Sequence, residues 1–179
     1  MDDIVKQALA KWPNVPDCYG WLGLDARGNW YMRDEQAQAA GPFVAGTPES
    51  KGSVLRHDKL IEFIHRNYQA DALGQWSFQN GPQRVYVELE ATPLIWRLSP
   101  DGSIAAHTGQ AARMQRCLVD EQGRVYLDTD LGFGLVHTQD VVLAADAVES
   151  GLWLPQNVSA ESLPQRFAFV RSPQALQNT

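Results

Sequence analysis

Three stretches of the chain carry one seven-residue pattern: an apolar residue, Asp or Ser, two polar or turn residues, Gly, a polar residue and a second apolar residue. They run from Leu24 to Trp30, from Leu98 to Ile104 and from Val119 to Val125. The chemistry of this spacing is a type I turn whose first side chain accepts backbone N–H bonds and whose glycine takes the positive φ that other residues resist. Each copy therefore predicts a tight antiparallel hairpin. The copies begin 74 and then 21 residues apart, an irregular spacing that reads as recurrent turn chemistry and not as a solenoid or propeller. Asn80-Gly81 predicts a fourth hairpin, although Pro82 removes one ladder donor.

Between the turns apolar and polar residues alternate with a period of two. Val85, Val87, Leu89 and Ala91 fall on one side of a strand and Arg84, Tyr86, Glu88 and Glu90 on the other; Val125 and Leu127 alternate in the same way, and Phe167 and Phe169 suggest a last strand. Helical periods are fewer. Ile4, Val5, Ala8, Leu9 and Trp12 form a stripe that must stop at Pro13. Leu60, Ile61, Ile64 and Tyr68 mark a helix running from Val54 to Tyr68, and Thr138 caps a further one that buries Val141, Val142, Ala145 and Val148 before Gly151. Residues 34–53 lack a period and read as a surface loop, and 172–179 as a frayed tail. The expected fold is α+β: an antiparallel β-meander of about six to eight strands with two or three helices packed on one face, in a single domain spanning 1–179.

Composition narrows the partners. With a net charge of −6, the averaged field repels phosphate backbones and anionic lipid, so nucleic acid is not expected as a partner. No apolar run approaches the roughly 20 residues of a membrane span, and Met-Asp-Asp-Ile has no leader character, which predicts a cytoplasmic protein without a membrane partner. Cys18 and Cys117 belong to no ligand pair; they read as isolated thiols of a reducing compartment, with one disulfide between them as the alternative.

Phosphate-binding, nucleophile-elbow and zinc-protease patterns are missing, and no cofactor or metal is expected. Asp128-x-Asp130-x-Gly132 starts like a calcium loop but lacks an oxygen ligand at its fifth position and has Gln139 at its twelfth. His57 and His65 lie about 12 Å apart along one helix, too far to share a metal ion. His107 and His137 each precede Thr at a strand end, the expected place for a turn-supporting histidine, and are the candidates for acid–base work should their strand ends be neighbours. Glu88 and Glu90, about 7 Å apart on one strand face, have the separation of a glycosidase pair, but outer-face glutamates are ordinarily solvated. The mixture of Trp76, Phe78, Asn80, Arg84 and Tyr86 around one turn has the composition of a binding surface.

At that cluster and at Gly20-Trp21-Leu22-Gly23-Leu24-Asp25, Arg27-Gly28-Asn29-Trp30 and Gly134-Leu135-Val136, the chain resembles a proteobacterial family of small cytoplasmic proteins of unknown function. The resemblance implies a bacterial, single-domain protein and no activity. The sequence thus fixes no function. The expectation is a non-enzymatic module that binds an unknown protein or small molecule in a groove of Trp76, Phe78, Arg84 and Tyr86 edged by the two glutamates, with a homodimer as a variant. The alternatives are a hydrolase or transferase in which His107 or His137 works with Glu88, Glu90 or Asp128, and a structural subunit with an exposed apolar patch.

Overall fold

The structure is a computed structural model that describes all 179 residues. In chain order its elements are α1 (Asp3–Lys11), β1 (Cys18–Leu24), β2 (Trp30–Met32), α2 (Glu35–Ala39), α3 (Pro48–Lys51), β3 (Ser53–Val54), α4 (Asp58–Arg66), β4 (Tyr68–Ala70), β5 (Trp76–Asn80) and β6 (Gln83–Leu89). There follow β7 (Leu94–Leu98), β8 (Ile104–Ala106), β9 (Ala111–Ala112), β10 (Met114–Val119), β11 (Val125–Thr129), β12 (Gly132–Val136), α5 (Val141–Glu149), β13 (Pro155–Asn157), α6 (Leu163–Arg166) and α7 (Pro173–Gln177). No helix is long and apolar enough to cross a membrane. Packing divides the chain into two compact units, the first made of Met1–Asp25, Asn29–Ala91 and Phe169–Thr179, the second of Ala26–Gly28 and Thr92–Ala168.

The first unit holds a six-stranded sheet in the order β3-β2-β1-β6-β5-β4. Every pair in it is antiparallel except β1 with β6, which is parallel. The class is α+β as expected, but the sheet is mixed and not a meander. Helices also cover both of its faces. On one face α4, shorter than the helix expected from Val54 to Tyr68 because Val54 pairs in β3 and Tyr68 opens β4, brings Ile64 into the core beside Leu22 and Val85. On the other, the ring of Phe43 lies so close to Gly23 that a Cβ there would be 2.6 Å from it. Val85, Val87 and Leu89 are buried as the alternation requires, and Tyr86 and Glu88 between them are buried too, because β6 is an inner strand covered twice.

Two segments thereby depart from expectation. Residues 34–53 are no simple surface loop: they contain α2, a 3-10 turn at Phe43–Ala45 and α3, capped by the side chains of Asp34 and Thr47. Their anchor is Arg33, 1% exposed, whose guanidinium donates to the carbonyls of Ser50, Gly20 and Gly41. A charge so placed stays buried only because backbone dipoles replace its water. The tail is likewise ordered: Ser172 caps α7, its hydroxyl donates to Glu88 at 2.5 Å, and the Gln174 backbone N–H donates to the same carboxylate.

The second unit holds a seven-stranded sheet in the order β13-β10-β11-β12-β7-β8-β9. Without β13 this is the first sheet over again, with β7 to β12 standing for β1 to β6, and the parallel pair is β7 with β12. The registers agree residue by residue. A shift of 74 carries Leu22–Met32 and Leu24–Trp30 onto Trp96–Ala106 and Leu98–Ile104. A shift of 49 carries Tyr68–Phe78, Ser77–Tyr86 and Asn80–Gln83 onto Cys117–Leu127, Tyr126–Leu135 and Thr129–Gly132. Applied together, they carry the parallel pair Leu22–Val87 onto Trp96–Val136. The turns correspond as well, including one that the sequence pattern had not singled out: Asp71 to Gly74, the partner of Asp120 to Gly123, with both glycines at φ +79°.

Three further expectations are corrected in this unit. The strand expected at 166–170 is the short helix α6 followed by Phe167 and by Ala168 at φ +52°. The helix expected from Thr138 is a 3-10 turn running into α5, and its cap is His137. Helix α5 buries Ala144 and leaves Val142 71% exposed, a different stripe from the one expected.

Candidate binding site

Strands β5 and β6 carry most of the residues expected to form one groove, and pleating separates them. Phe78 pairs with Val85 and Ser77 with Tyr86, so Trp76, Phe78 and Asn80 stand on the α4 face while Arg84, Tyr86, Glu88 and Glu90 stand on the opposite one. The expected groove of Trp76, Phe78, Arg84 and Tyr86 is therefore not formed, for the simple reason that neighbouring positions of one hairpin point to different sides.

On the face away from α4 the polar side chains are used up internally. Tyr86 stacks on Tyr19 with ring centroids 4.6 Å apart, and its hydroxyl donates to Asp71 and accepts from Arg84. The Glu88 carboxyl is pushed above the usual carboxylate range by burial, against which the bonds from Ser172 and Gln174 and the charge of Arg33 act. Glu90 is bound to Lys51 at 2.5 Å, and the guanidinium of Arg171 reaches its carbonyl. The two glutamates expected to be solvated are thus a buried acceptor for α7 and one half of an ion pair.

The two candidate histidines accept backbone N–H groups. His137, 6% exposed, accepts the Gln139 N–H on Nδ1 at 3.0 Å and so caps the turn before α5. His107 accepts the Ile95 N–H on Nδ1 at 3.2 Å. They flank β7 on opposite sides, the His107 N–H bonded to the Ile95 carbonyl and the His137 N–H to that of Trp96; two strand spacings and the offset along the strand put their backbones about 11 Å apart. Asp128, on β11 opposite Phe133, is held by Arg116 at 2.6 Å. No group of three or more His, Cys, Asp or Glu side chains is placed to hold a metal ion.

The α4 face, by contrast, is open. Between α4 and strands β1, β5 and β6 lies a recess of about 290 Å³. Leu22, Ile64, Phe78 and Val85 form its floor and walls. At its mouth stand Trp21, Met32 and Leu60, 39%, 45% and 38% exposed, and at its polar end Asn80, Gln83 and Cys18. The backbone makes this room by a register shift: from Cys18 to Leu22 β1 advances four residues while β6 advances two, with Gly20 at φ +86°. The bulge turns Trp21 toward the recess, out of the alternation its neighbours follow. Phe78 and Asn80 are the expected site residues that belong here; Trp21, Met32 and Leu60 were missed. Gly20, a glycine between apolar and aromatic residues, was the available sign of the bulge.

Residues 1–174 match the model of a family described as Protein of unknown function (DUF2946). The resemblance to a family of unknown function drawn from the sequence is met. Among solved structures the chain is similar to a DUF1285 family protein from Silicibacter pomeroyi DSS-3, with 11% identity, a TM-score of 0.49, and 82% of this chain and 84% of that one covered. It is similar also to one from Shewanella baltica OS155, with 13% identity, a TM-score of 0.45, and coverage of 70% and 91%. A comparison with curated proteins finds no match.

Proposed function

We propose that this chain, which belongs to the family described as Protein of unknown function (DUF2946), is a non-enzymatic binding module whose working surface is the recess beside α4. One observation carries the reading: an apolar cavity with polar groups gathered at one end, in a sheet whose other face is closed. This is the ordinary make-up of a ligand pocket, and its volume sits at the lower edge of the usual range of about 300–1,000 Å³. Three apolar side chains half exposed around one opening also need a reason, since water disfavours leaving them there together.

The test is a thermal-shift screen of small fragments, since a ligand that binds only the folded state raises the melting temperature. Hits should lose their effect in Leu60→Lys, which puts a charge at the mouth without touching the core, and keep it in Leu73→Lys, an equally apolar but 74% exposed control at a turn. Hits that survive Leu60→Lys unchanged, or a screen without hits, would remove the reading.

A further inference from the structure

Resting on the recess as the binding site, we infer that its ligand is a small uncharged molecule of about ten non-hydrogen atoms, with an apolar body and a single hydrogen-bonding head. The size follows from volume. A cavity of about 290 Å³ holds roughly ten units of about 30 Å³, the space a water takes in its liquid, and a methylene group needs nearly as much.

The absence of charge follows from the lining. None of the residues around the recess carries a carboxylate, an ammonium, a guanidinium or an imidazole group. Cys18 alone among them can ionise near neutrality, and burial pushes its thiol up, so it too stays neutral. A charged ligand would give up its water with no countercharge to meet it, which is among the costliest things a binding site can ask. The single polar head follows from the arrangement of the amides. Asn80 and Gln83 sit opposite each other where β5 turns into β6, and Gln83 already donates to the Pro16 carbonyl. That leaves its own carbonyl oxygen and the Asn80 amide to face a group that both donates and accepts. Leu22, Ile64, Phe78 and Val85 offer the rest of the ligand dispersion contacts alone.

A protein partner fits less well. A stable protein interface covers about 800 Å² on each side, whereas Trp21, Met32 and Leu60 are the apolar side chains that project at this mouth.

The experiment compares matched heads on two bodies: octanamide, octanoate and octylammonium, then 3-phenylpropanamide, 3-phenylpropanoate and 3-phenylpropylammonium. Binding is read by calorimetry and by the indole N–H resonance of Trp21 in the full chain. At least one amide is expected to shift the Trp21 resonance and to bind about tenfold or more tightly than its charged counterparts, and Asn80→Ala is expected to narrow that gap. Charged members that bind as well as the amides, with Leu60→Lys removing all of them, would overturn the neutral ligand and leave the recess standing as a site. If none of the six moves the Trp21 resonance, both fall.

Discussion

Asp120 shows how much one short side chain can hold. Its carboxylate accepts from the backbone N–H groups of Gln122 and Arg124, from Arg124 Nε at 2.8 Å and from the Tyr126 hydroxyl at 2.9 Å, with the residue only 5% exposed. Burial alone would raise its pKa, but these four donors outweigh burial and hold the carboxyl below the usual 3.8. A folded-state value below the unfolded one means that the stabilisation is complete above the unfolded value and fades as pH falls through the folded one. Asp120→Asn keeps the shape and loses the charge, so it should cost about 1–3 kcal/mol at neutral pH and much less near pH 2. Urea titrations at both pH values check this; an equal loss at each would show that the charge is not what matters. Glu88 has the opposite sign. Burial raises its carboxyl, so its ionisation works against folding as pH climbs past the unfolded value, which the Ser172 and Gln174 bonds only partly offset.

At the scale of elements, the turns were the most legible part of the chain and the sheet edges the least. Asp25, Ser99 and Asp120 start turns whose backbone closes on Asn29, Ser103 and Arg124 as the seven-residue pattern predicts, except that in the second copy the side chain accepting a turn N–H is Asp101 and not Ser99. A turn is decided by four or five neighbouring residues, so its signal is local. The parallel pairs β1–β6 and β7–β12 were invisible because they join residues more than 60 and about 40 positions apart, and no short pattern records such a pairing. The same holds for faces: the alternation in β6 was read correctly, yet nothing local shows that Phe43 and α7 cover its second side. Gly23 records that cover indirectly. It sits mid-strand with no turn to serve, and its missing Cβ is the space the Phe43 ring occupies. Gly23→Ala should therefore cost about 1–3 kcal/mol through overpacking. Combined with Phe43→Leu, it should cost less than the sum, with a coupling of about 0.5 kcal/mol or more in a double-mutant cycle. Strict additivity of the two changes would mean that the ring and the glycine do not share that space.

At the scale of the molecule, the fold is one six-stranded topology used twice, and the two uses differ in what has been inserted. Twenty residues separate β2 from β3 in the first unit and four separate β8 from β9 in the second; α4 and its flanks stand where one residue joins β9 to β10. The insertions supply α4, which is one cover of the first sheet and one wall of the recess, and the Phe43 turn on the opposite face. The repeat is hard to see in the sequence because the two copies share turn residues, two pairs of them at different offsets, while the strands between differ in their residues. It also predicts unequal independence. Residues 92–168 contain a whole copy of the topology with β13 and α5, so this fragment should fold alone and unfold cooperatively in urea. Residues 1–91 contain the other copy but lack 169–179, which supplies the Ser172 and Gln174 donors to the Glu88 carboxylate and the Arg171 carbonyl that accepts the Leu89 N–H. A buried carboxylate stripped of its donors is among the dearest defects a core can carry, about 3–5 kcal/mol when a buried partner is removed, against a total stability of about 5–15 kcal/mol. The 1–91 fragment should accordingly stay unfolded until a peptide of residues 169–179 is added, with the transition followed by the fluorescence of its four tryptophans, of which Trp30 is buried in the fold. Cooperative folding of 1–91 without the peptide would show that α7 is an ornament on the first sheet; failure of 92–168 to fold would show that a complete copy of the topology is not enough.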